Sequence, residues 1–159
     1  MGWHFKEDRR FNAYTTKGLA EGVVVHLLKP TTYMNLSGTA VRRYMDFFKL
    51  NTEQLVIVAD DVALPFGQLR LKATGSAGGH NGLKSVETHM GTTHYKRLRM
   101  GIGHPGEAIL ADYVLDPFRR EELEQLEAFV DCGVKVLYRL LNESTSQVMN
   151  VVNTKDRRI

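Results

Sequence analysis

Two short, unbroken apolar runs constrain this chain more than any other feature. Val23 to Leu28 (VVVHLL) and Leu55 to Ala59 (LVIVA) are rich in β-branched residues and too short for core helices. Each reads as a strand buried on both faces, the pattern that parallel sheets impose. Between them, Val41, Tyr44, Met45, Phe47 and Phe48 form an apolar stripe within Leu36 to Phe48, and Arg42 and Arg43 point away from it. That spacing predicts a helix. Strand, helix and strand in this order predict an α/β protein.

The rest of the chain continues the alternation. Pro65 and Gly67 mark a turn, and Gln68 to Lys72 alternates as a half-buried strand does. Ala73 to Gly82 (ATGSAGGHNG) holds four glycines and reads as a loop. A short helix is predicted from Leu83 to about Met90, and a strand from Tyr95 to Ile102. Asp116–Pro117 resembles an N-cap and first-turn proline ahead of the longest helix. That helix carries Leu123, Leu126, Val130, Val134, Leu137 and Leu141 on one face, and a last helix is predicted from about Ser144 to Val152. No repeat or linker divides the 159 residues, so the expectation is a single domain over 1–159. Its sheet is expected to be mixed but mostly parallel, and flanked by helices. No apolar run approaches the ~18 residues of a membrane span, and MGWHFKEDRR has no apolar signal core. A cytoplasmic protein is expected. Cys132 is the only cysteine, which excludes an intrachain disulfide, and a net charge of +3 suits an anionic partner.

Polar residues gather where the strands end. Asn35 follows the first apolar run, Asp60 ends the second, and His80 and Asn81 stand just before a helix. In open α/β sheets ligands bind beyond the carboxyl ends of the strands. If the two apolar strands run parallel, Asn35 and Asp60 share an edge and the glycine-rich loop folds over them. The pocket then holds two amides, a carboxylate and Tyr33. The plainer reading is that the asparagines cap helices and Asp60 makes a turn.

Other motifs fail on inspection. Gly82-Leu83-Lys84-Ser85 puts a leucine inside what a phosphate-binding loop needs as Gly-Lys-Ser. Gly101, Gly103 and Gly106 (GIGHPG) satisfy a dinucleotide spacing, but Pro105 stands where the helix should open, so a strand-end turn is the better reading. The six histidines show no zinc spacing. Arg70, Lys72, Lys96, Arg97 and Arg99 flank the glycine-rich loop on predicted strands, where they either face water or track a phosphodiester backbone. Lys155, Arg157 and Arg158 read as a solvated tail.

Four stretches, KPTTYMNLSG, VADDVALPFG, GSAGGHNGLKS and YKRLRMGIGHPG, resemble in order and spacing the bacterial peptidyl-tRNA hydrolases. The likeness runs from about Val23 to the C-terminus. It implies a monomeric cytosolic enzyme that cleaves the ester between a peptide and its tRNA with no metal or cofactor. By resemblance Tyr33 takes the family's aromatic position, Asn35 its substrate amide, with Met34 beside it, and Asn81 the second amide, beside His80. Asp60 falls on the carboxylate that orients the catalytic histidine. Lys72, Arg97 and Arg99 become the residues expected to hold the tRNA backbone. Physical chemistry agrees with these roles. An amide offers two donors and an acceptor, an aromatic face stacks on a base, and a carboxylate fixes an imidazole tautomer.

The sequence departs from the family pattern at one end. Family members begin with a strand, a glycine loop and an RHN tripeptide holding the histidine base, and none of these stands in the 159 residues. Two explanations follow: a start placed at an internal methionine of a longer active enzyme, or a short chain lacking the first strand of the family fold. His80 is the one histidine placed to substitute. Ala63 stands where many members carry a second acid. The competing functional reading is a non-catalytic tRNA- or RNA-binding module that has lost its base.

Overall fold

The computed structural model describes residues 2–104, 106 and 110–154. The expectations for Pro105 and for the tail from Lys155 onward lie outside the described residues. Two compact units are distinguished, one from Met1–Val56 and Ala73–Lys96, the other from Ile57–Lys72 and Arg97–Ile159.

The first unit carries an antiparallel sheet of β1 (Lys6–Asp8), β2 (Ala13–Ala20) and β3 (Val23–Pro30), in that order. Glu21 and Gly22 join β2 to β3 at φ +50° and +75°. Two positive-φ residues make the tight turn whose twist suits a hairpin. Sequence reasoning missed β1 and β2, although a Glu-Gly pair between Leu19-Ala20 and Val23-Val24 was a legible signal. The first apolar run is not buried on both faces: Val23 and Val24 are exposed. An antiparallel hairpin needs cover on one face only. That cover is α1 (Ser37–Phe48). Phe11 and Ala13 are buried against Tyr44, with Leu28, Phe48 and Leu50 around them. The Phe11 and Tyr44 rings meet edge-on at 5.0 Å, and each such buried side chain contributes about 1.5–3 kcal/mol. Lys49, at φ +54°, ends α1 by turning the chain so that Leu50 N–H reaches the Met45 carbonyl at 2.8 Å. Alongside α1 runs α2 (Asn81–Met90).

The second unit carries β4 (Val56–Asp61), β5 (Leu69–Lys72) and β6 (Lys96–Gly101) in the order β4-β6-β5. β5 and β6 are antiparallel, with Arg70 opposite Arg99 and Lys72 opposite Arg97. Lys96 N–H donates to the Leu55 carbonyl and Ile102 N–H to the Asp61 carbonyl, so β4 and β6 run in the same direction. The α/β class with a mixed sheet stands. Among the described residues β3 is in the first three-stranded sheet and β4 in the second, where its parallel partner is β6.

Three helices accompany this sheet, α3 (Leu110–Tyr113), α4 (Arg120–Asn142) and α5 (Thr145–Val152). Leu71, Leu98, Val136 and Val148 form the core, with Leu69, Leu137, Leu140 and Met149 packed on it. The Asn153 carboxamide both accepts from Leu71 N–H and donates to the Leu71 carbonyl, each at 2.9 Å, and so occupies the backbone groups of an outer strand. α4 buries only part of the predicted stripe: Leu137 packs on the core, and Leu126 and Leu141 are half-buried. Phe129, Gly133 and Val136 are buried, whereas Leu123, Val130 and Val134 are exposed. Gly133 is the reason: without a side chain it lets Met100 approach, and a Cβ there would lie 3.2 Å from Met100 Cε. Asp116 does not start α4. Its N–H bonds back to the Asp112 carbonyl, closing the turn after α3, and α4 is capped at Arg119, whose N–H donates to Glu122 Oε2 at 2.7 Å.

Candidate active site

A single turn of 3-10 helix, Met34–Leu36, links β3 to α1. Side chains of the following turn pin it. Ser37 Oγ donates to the Met34 carbonyl and Thr39 Oγ1 to the Leu36 carbonyl, both at 2.8 Å. Gly38 then allows α1 and α2 to touch: its N–H donates to Ser85 Oγ at 2.9 Å, and a Cβ would lie 2.1 Å from the Ser85 carbonyl oxygen. At the other end of the same contact, a Cβ on Gly82 would lie 2.5 Å from Met34 Sδ. The thioether of Met34 thus rests on the first turn of α2.

His80 caps α2. Its Nδ1 accepts from Gly82 N–H at 3.1 Å and from Leu83 N–H at 3.2 Å, two of the donors that a helix start leaves without partners. Nδ1 is therefore the unprotonated nitrogen and Nε2 carries the hydrogen. Each partner of the Met34–Gly82 contact has an asparagine beside it in the chain. Asn35 follows Met34, Asn81 precedes Gly82, and both are exposed. Among the described residues neither carboxamide is held by a hydrogen bond. Tyr33, at 83% exposure, stands beside them and forms one wall of an open groove of about 570 Å³ with Asn12, Thr31, Thr32 and Leu36. Asn12 and the two threonines were not singled out from sequence; nothing in their spacing marks them.

In the second unit Asp60 is the penultimate residue of β4 and is half-buried. Its neighbour Asp61 is buried. Asp61 Oδ1 accepts from Ala63 N–H at 2.9 Å, and Oδ2 lies 3.0 Å from Arg99 Nε. That Arg99 contact is an ion pair by distance, although the N–H is not aimed for a hydrogen bond. Arg97 is fully buried. The expectation that Arg97 reaches a tRNA backbone is corrected, since a sealed guanidinium has no phosphate within reach. Arg99, with 13% of its side chain exposed, is turned toward Asp61. The alternation misled because a strand covered on both sides offers no solvent face. Lys72, half-buried, and Arg70, exposed, remain at the surface.

The strand-end turn read from GIGHPG is what Gly101 and Gly103 make. A Cβ on Gly101 would lie 2.1 Å from the Pro65 carbonyl oxygen, and Gly103 sits at φ +84°. Among the described residues no three His, Cys, Asp or Glu side chains gather as a metal would need, and no helix is long and apolar enough to cross a membrane.

The fold is that of an α/β protein, with Asn35 and Asn81 exposed near the starts of α1 and α2. Comparison with known proteins narrows this. The peptidyl-tRNA hydrolase family pattern matches residues 1–158. The chain is 45% identical over 150 residues to the peptidyl-tRNA hydrolase of Gloeobacter violaceus, spanning 94% of this chain and 76% of that one. It is 42% identical over 155 residues to that of Bacillus subtilis, spanning 96% and 82%. The crystal structure of peptidyl-tRNA hydrolase from Acinetobacter baumannii superposes with a TM-score of 0.89 at 34% identity, covering 96% of this chain and 78% of that one. The chain belongs to the peptidyl-tRNA hydrolase family.

Proposed function

We propose that this chain hydrolyses the ester joining a peptide to its tRNA and so frees tRNA from stalled or dropped-off translation. In this reading it works in the cytoplasm as a monomer, without metal or cofactor. Asn35 and Asn81 hold the substrate and the attacking water, Tyr33 stacks on the terminal base, and Lys72 meets the phosphate backbone. Asp60 orients an imidazole that takes a proton from water. The observation that supports the reading is the Met34–Gly82 contact, between residues that adjoin the exposed Asn35 and Asn81 in the chain.

The base itself is a histidine of the family's strand, glycine loop and RHN segment, which is not among the 159 residues. His80 is a poor substitute, because its Nδ1 is occupied by the helix cap and its Nε2 carries a hydrogen. Two features support a place for the additional strand. Among the described residues β4 ends its sheet, and Val58 on it is 48% exposed.

The test supplies imidazole in solution as the base. The chain alone should deacylate peptidyl-tRNA slowly, and added imidazole should accelerate it. Asn81→Ala should then lower the imidazole-dependent rate by ~10²-fold or more. Fast turnover without imidazole points to a base within the chain, with His80 the first suspect. An unchanged rate in Asn81→Ala overturns the assignment of the amides.

A further inference from the structure

We infer that the open groove beside Tyr33 is the subsite for the peptide moiety of the substrate, with Asn12 and Thr32 gripping the peptide backbone. This rests on the reading of Asn35 and Asn81 above, since it names what lies next to the ester they hold. The groove, about 570 Å³, is lined by Asn12, Thr31, Thr32, Tyr33 and Leu36. Its size falls within the ~300–1,000 Å³ of small-ligand sites. The hairpin ladder places it. Thr31 N–H donates to the Asn12 carbonyl at 2.8 Å, one step beyond the Ala13–Pro30 pair of β2 and β3. Tyr33 is a wall of the groove and, in the reading above, the platform for the terminal base. The groove therefore starts where base and peptide part from one ribose.

The hydroxyls around this turn divide into two kinds. Ser37 Oγ and Thr39 Oγ1 are spent on the carbonyls of Met34 and Leu36. The side chains of Thr31, Thr32 and Asn12 make no hydrogen bond among the described residues. Thr32 is the sharper case, because its Oγ1 is shielded from water as well as unpaired. Such an orphan is uncommon in folded proteins and calls for an explanation. A change of χ1 to another staggered position turns the hydroxyl into the groove, where a peptide N–H or carbonyl supplies its bond. Asn12 is exposed and stands at φ +49°, a left-handed conformation that asparagine visits more readily than most residues. A carboxamide offers two donors and an acceptor, and a hydroxyl one donor and two acceptors. Together they complement a peptide backbone, which presents a donor and an acceptor at each residue. None of the five lining residues carries a charge. A phosphodiester calls for lysine or arginine, so this lining favours peptide over RNA. Tyr33 and Leu36, both exposed, add apolar surface for a side chain of the peptide.

The experiment measures binding of the 159-residue chain to a tRNA that carries a tripeptide through an amide in place of the ester, and to the same tRNA without peptide. The ratio of the two affinities isolates the peptide and needs no base. Thr32→Val keeps the shape and deletes the hydroxyl. Asn12→Gly deletes the carboxamide and accepts the positive φ. Each should lower the ratio about 2- to 10-fold, the worth of a hydrogen bond, while affinity for the bare tRNA stays within about twofold of the parent. Thr32→Ser, which keeps the hydroxyl, should keep the parent ratio. Groups that serve the fold alone would lower the urea midpoint and leave the ratio where it was; that result overturns the inference. An equal loss for bare and peptidyl tRNA also overturns it, since the groove would then be an RNA contact. Asn81→Ala separates the two claims. If it lowers the ratio while Thr32→Val and Asn12→Gly keep it, the groove is not the peptide subsite and the reading of the amides stands. If the parent binds both tRNAs alike, or neither, the reading of the amides fails and the inference falls with it.

Discussion

Around the Met34–Leu36 turn, the groups that matter stand in solvent: Tyr33 is 83% exposed and the carboxamides of Asn35 and Asn81 carry no partner among the described residues. Around β4 and β6 the reverse holds. Arg97 is sealed, Asp61 nearly so, and Arg99 is turned inward to meet Asp61. Sequence reasoning gave both regions a substrate-facing role because both are rich in polar residues. Burial separates them. An exposed amide has its hydrogen-bonding capacity to offer to a ligand, whereas a buried charge is already committed to the scaffold, and removing it leaves its partners desolvated.

The largest expected effect breaks that contrast if it fails. Arg97→Ala should destabilise the fold by about 3–5 kcal/mol, read from the urea midpoint, whereas Lys72→Ala should change it by less than ~0.5 kcal/mol. Equal effects would mean that Arg97 is not the core residue its burial indicates. Next comes the helix contact beneath the amides. Gly38→Ala pushes a methyl against a backbone carbonyl, which cannot swing aside as a side chain can, and should cost about 1–3 kcal/mol. Gly22→Ala, in open space but at φ +75°, tests strain without collision.

A smaller effect concerns the substrate's phosphates. Lys72→Ala should reduce the slope of log affinity for tRNA against log salt by roughly 0.7–0.9, the share of one phosphate contact, and the folded fraction of an Arg97 variant should keep the parent slope. The smallest effect is a pH dependence of stability. His26 bonds through Nδ1 to Tyr44 Oη at 2.9 Å. Burial first, and then the charge of Lys17, hold its pKa below the ordinary imidazole value. The folded state therefore binds fewer protons than the unfolded one over this interval. Stability from this group is full above about pH 6.5 and declines as pH falls toward the depressed folded value. His26→Gln should flatten that part of the urea midpoint against pH.

Much of the fold was legible. The α1 stripe, the strand–turn–strand of β4 and β5, and the helix after the glycine-rich loop follow from period and punctuation. What escaped was whatever depends on a distant partner. β1 is only three residues long, and β2, though eight, is mixed in polarity, so the Glu21-Gly22 turn was the one local sign of their hairpin with β3. The buried stripe of α4 was only partly assigned because Gly133, which carries no hydrophobic signal, decides where Met100 approaches. At the site, the polar residues of the motifs were found by resemblance and by their places at strand ends. That Met34 rests on Gly82, and that His80 is spent on a cap, are facts of packing that spacing does not contain.

The account turns on Asn35 and Asn81 acting together on one substrate. A double-mutant cycle on kcat/KM for peptidyl-tRNA, with imidazole supplied, measures this directly. Each Asn→Ala change should cost about 2–4 kcal/mol of barrier, and the double variant should lose less than their sum, with a coupling of about 0.5–3 kcal/mol. Single variants that keep the parent kcat/KM, or losses that add without coupling, would contradict it.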